Sequence, residues 1–211
     1  MKVTVRAGVP ADAPSFVCLK ERLRMPPGTQ TRRGGFVLGT SLEQYGRHLS
    51  HDQVIVAEAL EGLVGFSIVL KHDRFVNSEL WKKKDAARLT LPPQALAGRR
   101  VAYYEQLAFM PGYAARVYAK YVAFINLYLA LQDHGSVVAT VVRKPVHNRA
   151  ALPFLSAAGF QWIGSIDEHY PEYGAIGSDI YHLDSDDFVA RLERPSFASL
   201  IRKARARGLM R

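Results

Sequence analysis

The segment Leu107 to Ala119, LAFMPGYAARVYA, reads as a strand, a proline, a short loop and then a helix. The first amides of a helix have no intrahelical partner, and the helix dipole favours negative charge at that end. Such a junction holds a pyrophosphate with backbone alone. The same arrangement also serves as a plain strand-to-helix connection, and this segment taken alone favours that plainer role. Other chemistry-bearing residues are scattered. His48 and His51 lie three apart, a spacing that can place two metal ligands on one helix face, but a solvated helix end explains them better. Cys18, between Phe16 and Leu19, reads as core and not as a nucleophile. There is no Walker loop and no G-x-G-x-x-G element.

The elements that must position these residues follow from periodicity. Lys2 to Arg6 alternates as a strand, and Ala11 to Leu23 has helical spacing with Asp12 as an N-cap. Pro26-Pro27-Gly28 stops that helix, and a polar loop, TQTRRGG, follows. Ser41 and Gln44 have capping-box spacing at the start of a second helix. Val54 to Glu58 and Leu63 to Leu70 form two strands around a turn at Glu61-Gly62. Residues 71–100 read as a basic insertion with one helix near Ser78 to Leu89. Val101 to Phe109 is a strand, Ala115 to Leu131 a core-packed helix, and Ser136 to Val142 a strand. Asn148 to Ala158 reads as a helix ended by Gly159, and two strands, Phe160 to Ile166 and Asp179 to Leu183, close the order. Strands alternating with helices predict an α/β sandwich over residues 1–187, with a basic, helical tail over 188–211.

The 211 residues are 48% hydrophobic and 22% charged, an ordinary globular composition. The net charge of +9 is unevenly spread. Arg191 to Arg211 holds seven Lys/Arg against one Glu, and Lys71 to Arg100 holds eight Lys/Arg against three Asp/Glu. The rest of the chain is slightly acidic. This local basicity argues against a general nucleic-acid binder and points to two surfaces that favour anions. A single cysteine excludes an intramolecular disulfide, and no stretch is long and apolar enough to span a bilayer, so the expected location is the cytoplasm.

Read together, two segments carry a resemblance. Leu107-Ala108-Phe109-Met110-Pro111-Gly112-Tyr113 is followed at a fitting distance by Asn148 through Gly159-Phe160. This order resembles the GNAT acyltransferases, whose core reads LAV-x-P-x-Y-R-G-x-G-x-G and later N-x-x-A-x-x-x-Y-x-x-x-G-F. The resemblance implies a mixed, mostly antiparallel sheet splayed between its fourth and fifth strands, with acetyl-CoA or another acyl-CoA in the splay. It implies that pantetheine pairs with backbone at Leu107 and Phe109. The pyrophosphate would rest on the amides of Ala114, Ala115, Arg116, Val117, Tyr118 and Ala119, and Asn148 would reach the pantetheine arm or the attack site. An acidic residue two positions before the leucine stands where the family often keeps a base, which makes Glu105 the catalytic candidate; a structural pairing with Arg99 or Arg100 is the alternative.

The sequence departs from the pattern at two places. The leading basic position is Ala114, and the glycine positions are Ala115, Val117 and Ala119. The position that in the family holds the acid tyrosine is Leu155, so Tyr118, Tyr170 and Tyr173 become candidates for that role. Pro153 kinks or shortens the helix around it. The implied activity is direct transfer of acetyl from acetyl-CoA to a primary amine on a small molecule or peptide. Residues 24–50 and 71–100 would line the acceptor side, and their cations suggest an anionic acceptor. A GNAT-like binding module without chemistry, and an enzyme with a longer acyl donor, are the alternatives. The Tyr-rich third helix reads first as core and second as a homodimer surface.

Overall fold

The computed structural model describes residues 3–24, 39–90, 99–170 and 174–209. Pro26-Pro27-Gly28, the TQTRRGG loop, Leu91-Pro92-Pro93 and Tyr173 lie outside these described residues. Eight strands form one sheet: β1 Thr4–Ala7, β2 Gln53–Ala59, β3 Gly62–Leu70, β4 Arg88–Leu89, β5 Val101–Phe109, β6 Ser136–Lys144, β7 Gln161–Tyr170 and β8 Gly174–Asp184. Their spatial order is β1-β2-β3-β5-β6-β8-β7-β4. Every pairing is antiparallel except β5 with β6. Parallel neighbours need a long crossover, and helix α5, Tyr113–Asp133, supplies it.

Both faces of the sheet are covered, which makes this an α/β sandwich. On one face lie α1, Ala13–Arg22, and α2, Leu42–His51. They bury Phe16 and Tyr45 against Phe66 of β3, all three fully enclosed. Phe16 stacks on Phe66 with ring centroids 3.9 Å apart, and each such side chain contributes roughly 2–3 kcal/mol through burial. The other face is covered by α5, α6 (Leu152–Ala158), α7 (Ser185–Leu192) and α8 (Pro195–Ala206). There Phe124 of α5 packs on Phe188 and Phe197, at 5.8 and 4.8 Å between centroids. The tail thus lays its apolar stripe, Phe197 and Ala204, on the core.

Several local expectations are corrected. Asp12 precedes α1 but makes no cap; its carboxylate accepts from the Val9 amide at 2.9 Å and from both terminal nitrogens of Arg6 at 2.8 and 2.9 Å. The bidentate arginine outcompetes the helix amide. Cys18 is exposed, because Ala13, Phe16 and Leu19 define the buried face and residue 18 points away from it. The insertion is not one helix. It forms α3, His72–Phe75, α4, Glu79–Lys82, a 3-10 turn at Lys84–Ala86 and the edge strand β4 on β7. Gly164 admits β4, since a Cβ there would lie 2.2 Å from the Arg88 carbonyl. Helix α6 begins at Leu152, not Asn148, because Pro153 fits only a first turn. The capping box of Ser41 and Gln44 is present at the start of α2.

Candidate active site at the strand splay

The registers of β5 and β6 part company after four residues. Val101 to Tyr104 pair with Ser136 to Ala139, and pairing stops there. Beyond that point Gln106 to Phe109 remain paired with β3 on one side only. Their second edge faces a cleft of about 460 Å³, closed on the far side by Thr140 to Val142, Asn148 and α6. An unpaired strand edge is a row of backbone donors and acceptors open to a ligand with amides of its own.

A bulge orients what lies along that edge. Val69 pairs with Tyr104 and Ile68 with Gln106, so Glu105 is the extra residue. A bulge breaks the strict alternation of a strand and re-aims a side chain. Tyr104, Leu107 and Phe109 turn to the α5 face, while Tyr103 and Ala108 turn to the α2 face. Gln106 also faces α2, accepting from the Tyr45 hydroxyl at 3.0 Å and donating to Thr40 Oγ1 at 2.9 Å. Burial pushes the Glu105 carboxyl above its ordinary range; the charge of His48 and a hydrogen bond with Gln106 oppose the shift. No cation lies within ion-pair distance of Glu105 among the described residues. Arg99 donates instead to Asp184 at 2.6 Å.

Phe109 folds over β3 because residue 65 is glycine; a Cβ there would stand 2.3 Å from the ring. Leu107 and Ala119 line the cleft. Ala114, Ala115 and Arg116 lie in the first turn of α5, behind Gly112 (φ 151°), and their side chains fall outside the described residues. Val117 is 55% exposed and points to a groove between α5 and α8, together with Tyr118. Of the candidate acids, Tyr118 therefore stands apart from the cleft. Tyr170 donates to Glu168 at 2.9 Å, beside Lys83 of the insertion. Leu155 lines the cleft but is almost wholly buried in the core.

Asn148 sits where β6 ends, fixed by its amide on the Val142 carbonyl at 2.9 Å. Its side-chain oxygen is buried and has no partner among the described residues. A buried, unpaired carbonyl calls for a donor, and an amide N–H running along the cleft would satisfy it. The residues present therefore fit a pantetheine arm.

Two side chains at the cleft were given no part in it from sequence. Tyr103 reaches across the splay to share a hydrogen bond with Thr140 Oγ1. His48, expected at a solvated helix end, has a side chain only 12% exposed and lines the cleft. Its i,i+4 partner Asp52 was the available signal, since that spacing allows a side-chain contact. Most cations of the insertion are matched within the protein: Lys82 with Glu79, Lys83 with Glu168, Arg74 with Asp52 and Arg88 with Asp167.

No family model matches the sequence, and no curated protein is similar to it. Solved structures are similar in fold. Arabidopsis thaliana NAA60 in complex with acetyl-CoA superposes with a TM-score of 0.60 at 14% identity, over 87% of this chain and 98% of that one. The ribosomal-protein-S18-alanine N-acetyltransferase of Escherichia coli gives 0.55 at 12% identity, over 87% and 94%. An acetyltransferase of the GNAT family from Streptococcus pneumoniae gives 0.55 at 14%, over 87% and 99%. With its single open mixed sheet splayed between β5 and β6, this chain has the fold of the GNAT acetyltransferases.

Proposed function

We propose that this protein is an acyl-CoA-dependent N-acyltransferase that moves acetyl from acetyl-CoA to a primary amine by direct attack. The observation that carries the reading is the open edge of β5, with the unpartnered oxygen of Asn148 across the cleft from it. Bound acetyl-CoA would supply an activated acyl carbon and a thiolate leaving group. The chain's part is alignment and proton removal. The backbone of Leu107 and Phe109 and the side chain of Asn148 hold the pantetheine arm, and the first amides of α5, Ala114 to Ala119, face the pyrophosphate. Glu105, ionised, takes a proton from the acceptor nitrogen. The acceptor class is an amine on a small molecule or a peptide; the structural likeness to a ribosomal-protein-alanine N-acetyltransferase supports including peptides with a free N-terminal alanine. An anionic acceptor rests on cations of residues 24–50 and 71–100, several of which already have carboxylate partners. Cys18 is a free, exposed thiol, in keeping with a reducing, cytoplasmic setting. Among the described residues no helix is long and apolar enough to cross a membrane.

The test is calorimetric titration with acetyl-CoA and with a longer acyl-CoA. Acetyl-CoA is expected to bind, and Asn148→Ala to weaken it by about tenfold, the worth of one buried hydrogen bond. Binding of the longer donor alone would redirect the reading to that donor. Binding of neither would leave the non-catalytic module, which the leucine at position 155 favours.

A further inference from the structure

Amine acylation removes two protons from nitrogen. One leaves the ammonium before attack, and one leaves after the C–N bond has formed. Glu105 accounts for one acceptor on the protein.

The cleft holds a second. His48 of α2 lines it together with Glu105. Its Nδ1 lies 2.8 Å from Asp52 Oδ2, and the Asp52 side chain has no exposed surface. Asp52 is itself held in place: Arg74 Nε of α3 stands 3.5 Å from Oδ2, and the Lys71 amide donates to Oδ1 at 3.4 Å. A carboxylate on Nδ1 keeps the ring proton there and leaves Nε2 with a lone pair. Nε2 has no protein partner among the described residues. The opposite edge of the ring thus serves the cleft. The other charges packed around α2 are taken up elsewhere: Lys20 of α1 pairs with Glu21 at 3.0 Å, and Arg47 with Glu43 at 3.7 Å. Glu105 and Tyr103 line the same cleft from β5, the Tyr103 hydroxyl being engaged with Thr140.

We propose that Asp52 and His48 form a second proton-accepting pair, in which Asp52 orients the ring and His48 Nε2 takes the ammonium proton of the acceptor. The inference rests on the acyl-transfer reading above. The ammonium gives one proton to Nε2, and the freed lone pair forms the C–N bond to the acyl carbon. The C–S bond breaks with its electron pair on sulfur, and the second nitrogen proton passes to Glu105. Of the two protons collected, one ends on the CoA thiolate and one in solvent, which returns both side chains to their starting states. His48 is a catalytic residue in this scheme and Asp52 a positioning residue.

Two measurements decide it. The first needs no acceptor: nitrogen-15 spectra of the imidazoles in the full chain saturated with acetyl-CoA. His48 is expected as the Nδ1–H tautomer, held by Asp52. An Nε2–H tautomer overturns the proposal. The second is steady-state kinetics on an N-terminal-alanine peptide, an Nα-blocked lysine peptide and spermidine. His48→Gln is expected to lower kcat about 100-fold with KM nearly unchanged. Asp52→Asn should lower it by a similar factor, and the double variant by no more than His48→Gln alone, because the pair acts as a unit. Added imidazole should restore turnover to His48→Gly. A wild-type chain that is active beside variants of unchanged kcat sinks this proposal alone. A wild-type chain that fails to bind acetyl-CoA sinks the acyl-transfer reading first.

Discussion

At position 105 strand β5 carries one residue more than its partner β3. That residue is a carboxylate which burial pushes above the usual range. A base must be ionised, so activity should fall as pH drops through this raised value and level off above it. Glu105→Gln should lower kcat by about 100-fold or more and abolish Glu105's part of the acid limb of the pH–rate profile. An unchanged rate and profile would remove Glu105 as base. The resemblance pointed to Glu105 but carried no sign of the bulge that aims it. Leu155 was legible as a departure from the family, and it belongs to the core. His48 was misread because one helix considered alone does not reveal which strand lies beneath its last turn.

Elements decide whether the cleft exists. Leu107 to Phe109 offer a free edge only because β6 diverges, and Phe109 lies flat over β3 only because position 65 has no side chain. Gly65→Ala would place a methyl 2.3 Å from the Phe109 ring. The ring must move, at a cost of about 1–3 kcal/mol of stability. Urea unfolding should show the lower midpoint, and calorimetry should show weaker acetyl-CoA binding than in the wild type. A stable variant with wild-type affinity would show that Phe109 does not shape the cleft. Helix α6 teaches a related point. The same proline that seemed to interrupt a helix instead starts it, and Asn148 to Ala151 become the turn that delivers Asn148 to the cleft.

On the scale of the whole molecule, His134 joins three parts. Its Nδ1–H donates to the Ala130 carbonyl at 2.7 Å at the end of α5, and its Nε2 accepts from the His72 amide at 3.1 Å. His72 in turn accepts from the Val101 amide at 3.1 Å at the start of β5. The bond accepted at Nε2 needs a neutral ring, and burial lowers its pKa below the ordinary value against the opposing pull of the Ala130 hydrogen bond. The unfolded chain therefore binds more protons just below pH 6.5, and the fold loses stability as pH falls from there through the lowered value. Between pH 7.5 and 5.5 the wild-type urea midpoint should fall further than that of His134→Gln. Equal losses would show that His134 does not couple stability to pH.

The order of strands and helices, the capping box of α2 and the two ordered motifs around Leu107 and Asn148 could be read from sequence, because they rest on local periodicity and on groups close along the chain. The faces of long helices were legible for the same reason. Sequence left the insertion, the exposed face of Cys18 and the start of α6 ambiguous or misplaced, since each depends on what packs against the segment. The cleft itself belongs to tertiary structure. It arises where two parallel strands, 35 residues apart in register (Val101 opposite Ser136), stop pairing. No pattern within either strand records where its neighbour leaves it, so the meeting of Glu105, His48 and Asn148 is decided only when the sheet forms.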